Sequence, residues 1–385
     1  MLALGDPIDP ARTHVRRIHA FDEARRETLP GHRVRTVRRA AERFGDALRE
    51  GPRVVCVRTL PLAMAPYPTA YAFWNACSVP APVITMFHRC LLIQVLAEGE
   101  LKTILFNPSD PESQIKTPYF ANFRKAIPSF IKTEWLSPKQ PTLEEQLARL
   151  GLRPEDIDVV AFDHFHTQDL RVLLGTDGSD GRPPTAPRFP NAVLLAPRVE
   201  WDAWEDLHPL HRAFFIADGR SHVKTERVVL VEGDMWLGDG CAIVSTPGHT
   251  NGNQTLFVHA EQGVFGTAEN GTSADCYSPF ESRIPGLRKF ARERDVEVIL
   301  NSNTPESGAD QYTSMILERT VVDQVPDAPM FVQMFPSSEL TPSILAPGIR
   351  PSMLFGERTS GTVQLPDRAA RAKSAGARLE PRVQA

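Results

Sequence analysis

The sequence predicts an α/β protein in which two mixed β-sheets carry helices on their outer sides. Short runs rich in β-branched and aromatic residues recur along the chain and are bounded by turn residues, which is typical of strands. Some of these runs follow one another as hairpins, whereas others are separated by segments with helical spacing. This mixture favours sheets that contain both antiparallel and parallel strands.

The first elements in chain order lead to a polar cluster. Gly151 suits the left-handed end of a helix, and the strand after it runs directly into DHFHTQD. The predicted strands are RVVCVRTL, VITMFHRCLLIQVLAE, KTILFNPSD and IDVVAF, and TLEEQLARLGL is the predicted helix before the last of them.

The remaining elements repeat this order. A strand and a helix are followed by four strands, and a further helix leads to a final strand. The predicted helices are RVEWDAWEDLHPLHRAFF and PGLRKFARERD, and the predicted strands are NAVLLAP, RVVLVEGD, CAIVSTPG, QTLFVHA, GVFGT and VEVILNSN.

The composition is that of a globular protein. Hydrophobic residues make up 42% of the 385 residues and charged residues 23%, which excludes disorder throughout the chain. The formal net charge of -4 gives no reason to expect a nucleic acid or a membrane as partner. The five cysteines form no CxxC motif, and there is neither a signal-like start nor an apolar run of about 18 residues. We therefore expect a cytoplasmic protein with a small-molecule substrate, and we leave open a homo-oligomer.

The chain divides into four regions that differ in amino-acid composition. Residues 1–52 are rich in arginine and are predicted to form a largely helical extension. Residues 53–320 hold the strands and helices of the main domain. Residues 321–355 are rich in proline and are expected to pack on the core, where they and the extension shape the pocket or a subunit contact. Residues 356–385 have too little apolar content for a core and are expected to be a disordered tail.

Two motifs supply histidines at strand ends. His164 and His166 follow an apolar strand, and residues two apart on an extended chain point the same way, so both rings can face one ion. An HxH pair alone fits a structural role equally well. His249 lies in the turn TPGHT, which closes the strand CAIVS. Together the three imidazoles are the smallest protein ligand set for a catalytic zinc ion with an open position.

These motifs carry a resemblance to a known family. The stretches LEEQLARLGLRPEDIDVVAFDHFHTQD and VVLVEGDMWLGDGCAIVSTPGHTNGNQTLFVHAEQGVFGT resemble the metallo-β-lactamase superfamily, in particular its lactonase-like hydrolases. The similarity spans about residues 80–305, and the coupled spacing is more specific than either motif alone. The resemblance implies an αββα four-layer sandwich of two mixed sheets flanked by helices, with a metal site between the sheets.

The chain departs from the family at the second metal position. The family motif HxHxDH would place Asp at 168 and His at 169, where this chain has Gln168 and Asp169. The metal-bridging Asp of the family would fall near Ala268, with Glu269 one residue further on, and its last His would fall at Asn303. An amide is a poor metal ligand and accepts no proton at neutral pH. The resemblance therefore implies an altered second position.

Three interpretations follow from these residues. In the first, His164, His166 and His249 hold one ion, and Asp169 or Glu269 supplies a carboxylate as fourth ligand or base.

In the second interpretation, Asp169, Glu269 and Asp163 rebuild an oxygen-rich second position that suits iron or manganese. In the third, the fold survives without catalysis, and the protein is a binding or scaffold protein.

We adopt the first as the hypothesis from sequence. It describes a metal-dependent hydrolase of an ester, lactone or related carbonyl substrate with a mononuclear or altered metal site. Zinc is the expected metal, with iron or manganese as alternatives. His164, His166 and His249 are the expected ligands, Asp169 is the expected fourth ligand or base, and Glu269 is the reserve carboxylate. A dioxygen-using iron enzyme on the same fold remains a further alternative.

Overall fold

The strands of the protein form two large sheets that pack face to face. The computed structural model describes residues 2–126, 138–301 and 308–368. The strands of this part are β1 (Leu4–Pro7), β2 (Arg16–Ile18), β3 (Cys56–Pro68), β4 (Val83–Ala97), β5 (Glu100–Phe106), β6 (Val159–Ala161), β7 (Val193–Pro197), β8 (Val228–Val231), β9 (Asp234–Gly238), β10 (Cys241–Ser245), β11 (Gln254–Ala260), β12 (Gly263–Ala268), β13 (Gln324–Val325), β14 (Ala328–Val332), β15 (Met334–Pro336), β16 (Ser338–Thr341) and β17 (Thr359–Gly361).

The helices lie on the outer faces of these sheets and in the connections. They are α1 (Asp22–Arg25), α2 (Pro30–Glu50), α3 (Thr69–Ala72), α4 (Pro111–Gln114), α5 (Pro118–Ala126), α6 (Leu143–Arg149), α7 (Leu170–Leu174), α8 (Arg198–Ala203), α9 (Ala274–Tyr277), α10 (Leu287–Arg294) and α11 (Gly308–Val321), with short 3₁₀ turns at Pro154–Asp156 and Pro279–Glu281.

Both sheets are mixed. The first has the order β1-β2-β9-β10-β11-β12-β15, and all its pairs are antiparallel except β12 with β15. The second has the order β17-β3-β4-β5-β6-β7-β8, with β16 beside β4. The strands β5, β6, β7 and β8 run parallel to one another, and the other pairs are antiparallel. This is the mixture of hairpins and crossovers that the sequence predicts.

The alternation of side chains builds three apolar layers. In β10, Ile243 lies in the core between the sheets, whereas its neighbours Ala242 and Val244 face the outer core on the other side. In β5, Ile104 faces the core between the sheets and Leu105 faces the outer core of the second sheet. Because successive side chains of a strand point to opposite faces, each sheet contributes apolar side chains to the core between the sheets and to an outer core. The predicted αββα four-layer sandwich is confirmed.

The N-terminal residues are part of this sandwich. Strand β2 pairs with β9 and so extends the first sheet, and the outer face of that sheet is covered by α2. The ring of Phe44 on α2 contacts Phe257, and Gly45 brings α2 so close to α11 that a Cβ atom would lie 2.7 Å from the carbonyl oxygen of Val321. Strand β2 and the apolar face of α2 therefore join the main core.

The C-terminal region passes from one sheet to the other. Strand β15 pairs with β12 in the first sheet, and β16 pairs with β4 in the second, with only Ser337 between them. We call residues 334–341 the C-terminal strap. Inside the strap, the Glu339 carboxylate is fully buried and receives a hydrogen bond from the guanidinium of Arg89.

The first part of the expected tail, residues 356–368, contacts the main domain. Strand β17 pairs with β3, and Arg368 forms an ion pair with Asp156 at 2.7 Å. The backbone of residues 359–361 can pair because β3 offers a free edge to it. Residues 369–385, where the rest of the predicted tail falls, lie outside the described residues. Within the described ranges, every helix is too short or too polar to serve as a membrane span.

The buried Arg89–Glu339 pair makes a testable contribution to stability. In Glu339→Ala, the guanidinium of Arg89 would stay buried without its carboxylate, so the free energy of unfolding should fall by about 3–5 kcal/mol. Urea unfolding measures this. The matched control is Glu232→Ala, which removes an exposed partner of Arg198 and should change the free energy by less than about 1 kcal/mol. Equal effects of the two substitutions would contradict the prediction.

Candidate metal centre

Two of the predicted histidines follow β6, at the carboxyl end of the parallel strands. Phe165 between them is fully buried in the outer core, where its ring contacts Phe162 and Trp204. Because successive side chains of an extended segment alternate, this anchor turns His164 and His166 to the opposite side, into a cavity between the sheets.

The third histidine lies in the turn after β10. The backbone N–H of His249 donates to Asn270 Oδ1 at 2.8 Å, and Gly248 leaves room for this contact, since a Cβ there would lie 2.6 Å from the same oxygen. The turn is closed by a hydrogen bond from the backbone N–H of Thr246 to the carbonyl of Asn253. The glycine of the TPGHT motif is therefore required by the close approach of Asn270.

The three imidazoles meet at one point. A ring nitrogen of each lies within 4.8 Å of a ring nitrogen of the others, and His166 Nδ1 is 3.3 Å from His249 Nε2. A tetrahedral ion that binds nitrogen at about 2.0–2.1 Å separates its ligand atoms by about 3.3–3.4 Å. The distance between His166 and His249 therefore matches this spacing, and the three ring nitrogens lie close enough together to hold a metal ion.

The outward ring nitrogens are held by neighbouring side chains. His164 Nδ1 contacts Asp163 Oδ1 at 2.8 Å, and His249 Nδ1 contacts Asn301 Nδ2 at 3.1 Å. These contacts leave the Nε2 atom of each ring directed to the cluster. Asn301 is itself oriented by the hydroxyl of Tyr67, which donates to its Oδ1 at 2.6 Å. The contact of His164 with the Asp163 carboxylate is the kind that fixes the ring orientation of metal-binding histidines.

Burial and charge set the protonation of the cluster. Burial lowers the pKa of His166 and of His249 well below the usual range, so both rings are neutral at pH 7 and can act as ligands. Burial also acts to lower the pKa of His164, but the adjacent Asp163 carboxylate outweighs it and raises that pKa. Burial acts to raise the pKa of Asp163, and His164 together with hydrogen bonds lowers it to about 2.

The structure does not bring Asp169 to the histidines, which corrects its predicted role as fourth ligand or base. Its side chain caps the start of α7, accepting from the backbone N–H of Arg171. The guanidinium of Arg171 also binds both carboxylate oxygens at 2.8 Å. The physical reason is local, because a helix begins at Leu170 and an aspartate before it turns back to the free N–H groups.

The other predicted residues are placed as follows. Glu269 lines the same cavity as the histidines, and its Oε2 accepts from the backbone N–H of Ser338 at 2.9 Å. Burial and the charge of Asp163 raise the pKa of Glu269 to about 8. Gln168 donates from Nε2 to the hydroxyl of Ser109 at 2.8 Å. Asn303 lies outside the described residues.

A carboxylate that the sequence does not reveal holds the two histidine loops together. Glu200 on α8 accepts from the backbone N–H of Phe165 at 3.0 Å with one oxygen and from that of Gly252 at 3.1 Å with the other. Gly252 lies so close that a Cβ would be 2.3 Å from Glu200 Cγ. Glu200 occurs in a predicted helix with several other acids, so its sequence context carries no signal for this role.

His88 is a second residue that sequence reasoning missed. Its place in an apolar strand indicates a core histidine, but the ring lines the cavity, with Nδ1 3.0 Å from Ser338 Oγ and Nε2 3.0 Å from Ser109 Oγ. Burial lowers its pKa to about 4. The partners are distant in sequence, so no local pattern could have linked them.

Helix α11 supports the His249 turn from behind. Its polar residues Gln311, Ser314 and Glu318 share one face, because they are spaced by three and four residues. Ser314 donates to the carbonyl of Pro247 at 2.7 Å. Glu318 Oε1 accepts from Asn270 Nδ2 at 2.7 Å, and Asn270 in turn holds the backbone of His249.

The cavity is lined by both polar and apolar side chains. It encloses about 90 Å³, which is less than a typical ligand pocket of about 300–1,000 Å³ and suits the reacting part of a ligand. The polar lining includes the histidines, Asp163 and Glu269. The apolar lining, which we call the apolar wall, includes Ala65, Pro66, Tyr67, Met86, Tyr119 and Phe214.

Known proteins with similar sequences are lactonases. No protein-family model matches the chain. An N-acyl homoserine lactonase of Bacillus thuringiensis is 26% identical over 193 residues, which covers 49% of this chain and 64% of that protein. An N-acyl homoserine lactonase of a Bacillus species is 24% identical over 192 residues, with the same coverage. The predicted resemblance to lactonase-like metallo-hydrolases is confirmed. The chain spans 64% of the length of these relatives.

Solved structures with a related arrangement are more distant. An N-acyl homoserine lactone hydrolase, with the product N-hexanoyl-L-homoserine bound at its catalytic metal centre, has 19% identity and a TM-score of 0.41 over 63% of this chain and 87% of its own. A hydrolase of the β-lactamase superfamily has 13% identity and a TM-score of 0.41 over 82% of this chain and 99% of its own.

The bridging carboxylate of Glu200 makes a first prediction for the centre. In Glu200→Gln, an amide N–H₂ would face one of the two backbone N–H donors. One loop would then lose its hydrogen bond to residue 200, and the distances between the histidines would change. Metal affinity should fall by about 10–100-fold. Competition with a chromophoric chelator measures it. Asp202→Asn, an exposed change on the same helix, is the control, and an unchanged affinity in Glu200→Gln would contradict the role of the bridge.

The buried Glu318 predicts a pH dependence of stability. Burial raises its pKa from 4.5 to about 7, so the folded state holds the proton more tightly than the unfolded state. The stabilisation is present below pH 4.5 and is lost as the pH rises through 7, by about 3 kcal/mol. Glu318→Gln carries no proton to lose, and the hydroxyl of Tyr277 can accept from its amide.

Urea unfolding of metal-free protein between pH 4.5 and 8 tests this. Relative to Glu318→Gln, wild type should lose stability across that range, whereas the exposed control Glu293→Gln should follow wild type. Parallel curves for wild type and Glu318→Gln would show that Glu318 keeps an ordinary pKa.

Proposed function

We propose that the protein is a metal-dependent hydrolase of an ester, lactone or related carbonyl substrate. The observation that carries this proposal is the meeting of three imidazoles at one point, at ligand spacing, in a cavity between the sheets. Three histidines with a position left open are typical of catalytic rather than structural zinc sites.

His164, His166 and His249 are the residues that we propose to hold the ion. Zinc is the metal we favour, and iron and manganese are the alternatives. When bound, such an ion polarises a carbonyl group and lowers the pKa of a water towards about 7. The neutral state of His166 and His249 and the contact of His164 Nδ1 with the Asp163 carboxylate prepare the site for it.

Glu269 is the carboxyl group that we propose to exchange a proton with the reacting water or leaving group. It lines the cavity together with the three histidines, and the backbone N–H of Ser338 holds one of its oxygens. A group that exchanges a proton must lie within hydrogen-bond reach of the reacting group. Glu269 lines the cavity, and its pKa of about 8 lets it donate a proton at pH 7, whereas Asp169 is held by Arg171.

The apolar wall supports a substrate with a hydrophobic substituent. Tyr67, Tyr119 and Phe214 line the same cavity as the histidines, and the ring of Phe214 lies 5.3 Å from that of His166. A carbonyl directed to the histidines would leave an attached apolar group in contact with these rings. The similar Bacillus proteins are N-acyl homoserine lactonases, which supports a lactone among the substrates to be assayed.

The loss of one ligand tests the proposal. In His249→Ala, bound transition metal should fall below about a tenth of an equivalent. Hydrolysis of a lactone or ester should slow by about 100-fold or more, because several kcal/mol of charge stabilisation are lost. Metal analysis and turnover with a series of acyl lactones and aryl esters measure both. The control is His32→Ala, an exposed histidine on α2.

Different outcomes separate the alternatives. Equal turnover in His249→Ala and wild type would exclude the metal mechanism. Wild-type protein that is folded but carries no transition metal would favour a binding or scaffold protein on the same fold. Iron content together with oxygen consumption in the presence of substrate would favour an oxygen-using enzyme instead.

A further inference from the structure

Three further side chains of types that can bind metal ions lie beside the histidine cluster. The carboxylates of Asp163 and Glu269 and the imidazole of His88 line the same cavity as the three clustered histidines. Carboxylate oxygens and imidazole nitrogens are suitable ligands for zinc, manganese and iron. By residue type alone, these three side chains could hold a second metal ion. Whether they can do so depends on which hydrogen bonds their oxygen and nitrogen atoms already form.

Both oxygens of Asp163 already accept hydrogen bonds. Oδ1 accepts from the backbone N–H of His164 at 2.8 Å and contacts the ring nitrogen of that residue, and Oδ2 accepts from the hydroxyl of Ser337. Glu269 Oε2 accepts from the backbone N–H of Ser338 at 2.9 Å. Consecutive residues of the C-terminal strap therefore bind the two carboxylates.

Both nitrogens of His88 are also engaged. Nδ1 is 3.0 Å from the hydroxyl of Ser338, and Nε2 is 3.0 Å from the hydroxyl of Ser109, which is fully buried and also accepts from Gln168. His88 and Ser338 are directly opposite each other in the antiparallel pairing of β4 with β16. The sheet itself therefore fixes this contact.

The backbone hydrogen bonds of Ser337 prevent the strap from moving away from the two carboxylates. Its N–H donates to the carbonyl of Ala268 in the first sheet at 3.1 Å, and its carbonyl accepts from the N–H of Arg89 in the second at 3.3 Å. An ion that displaced Ser337 and Ser338 would have to break these bonds together with the side-chain bonds, at about 1 kcal/mol or more for each buried group left unpaired.

We infer that His88, Ser109, Ser337 and Ser338 occupy the space beside the three histidines with a hydrogen-bond network that engages Asp163 and Glu269, and that this network limits the centre to one metal ion per chain. The inference rests on the proposed function only in that the three histidines hold the first ion. Among the described residues, the cluster of His164, His166 and His249 is the only group whose ligand atoms converge in this way.

The number of bound ions tests the inference. Metal-free full-length protein is titrated with Zn²⁺ or Co²⁺ by calorimetry, and the metal content is then measured after gel filtration. One equivalent is expected, with the visible spectrum of a single low-coordinate Co²⁺ site. Two equivalents would overturn the inference while leaving the hydrolase proposal intact. No binding by folded protein would overturn the proposed function and, with it, this inference.

A pair of substitutions at His88 tests the network itself. His88→Asp places a third carboxylate beside Asp163 and Glu269, so the bound metal should rise from one towards two equivalents, and metal should raise the melting temperature more than in wild type. His88→Asn has nearly the same shape and keeps a hydrogen-bonding amide without the charge, so it should stay at one. A folded His88→Asp variant that also stays at one equivalent would overturn the role given to His88. If it does not fold, the wild-type ratio still decides the number of ions.

Discussion

The candidate metal centre depends on a carboxylate that joins two loops from opposite sheets. The three clustered histidines follow β6 in the second sheet and β10 in the first, and Glu200 binds one backbone N–H of each loop. Both N–H groups are buried, so each would be left without a partner at a cost of about 1–3 kcal/mol if the carboxylate were removed. The close packing of Gly252 against this side chain leaves no space for a looser arrangement.

The charges around the cavity favour a cation. Asp163 and Glu269 lie on its wall, Glu200 lies just behind it, and none of the described residues that line it is Lys or Arg. Buried carboxylates are costly unless positive charge or several hydrogen-bond donors compensate them. Backbone N–H groups, serine hydroxyls and the His164 ring beside Asp163 compensate in part. A divalent ion held by the three imidazoles would add positive charge and favour the charged form of Glu269, whose pKa burial raises to about 8.

The parts of the molecule that could be predicted are those encoded by local patterns. The strand and helix patterns predict two mixed sheets with helices outside, the resemblance to the metallo-β-lactamase superfamily implies the αββα sandwich, and the two motifs place His164, His166 and His249 at strand ends. Asp169 could not be assigned in this way, because its direction depends on where α7 begins and on the guanidinium of Arg171.

Contacts between distant segments escaped prediction for a related reason. The partners of His88 include Ser338, which is 250 residues away, and neither residue stands in a pattern that marks it. The carboxylate of Glu200 likewise acts on backbone groups, which have no sequence signature. Long-range polar contacts with main-chain atoms are therefore the part of the centre that only the structure shows.

The C-terminal strap links the number of metal ions to the fold. Its two halves belong to different sheets, and the buried pair of Glu339 with Arg89 anchors it next to Ser338. Moving Ser337 away from Asp163 would therefore disturb strand pairing on both sides, whereas changing the ring of His88 would disturb only side chains. The space beside the histidines is thus filled mainly by the backbone of the strap and additionally by the ring of His88. A substitution at His88 therefore tests the site with the least damage to the sandwich.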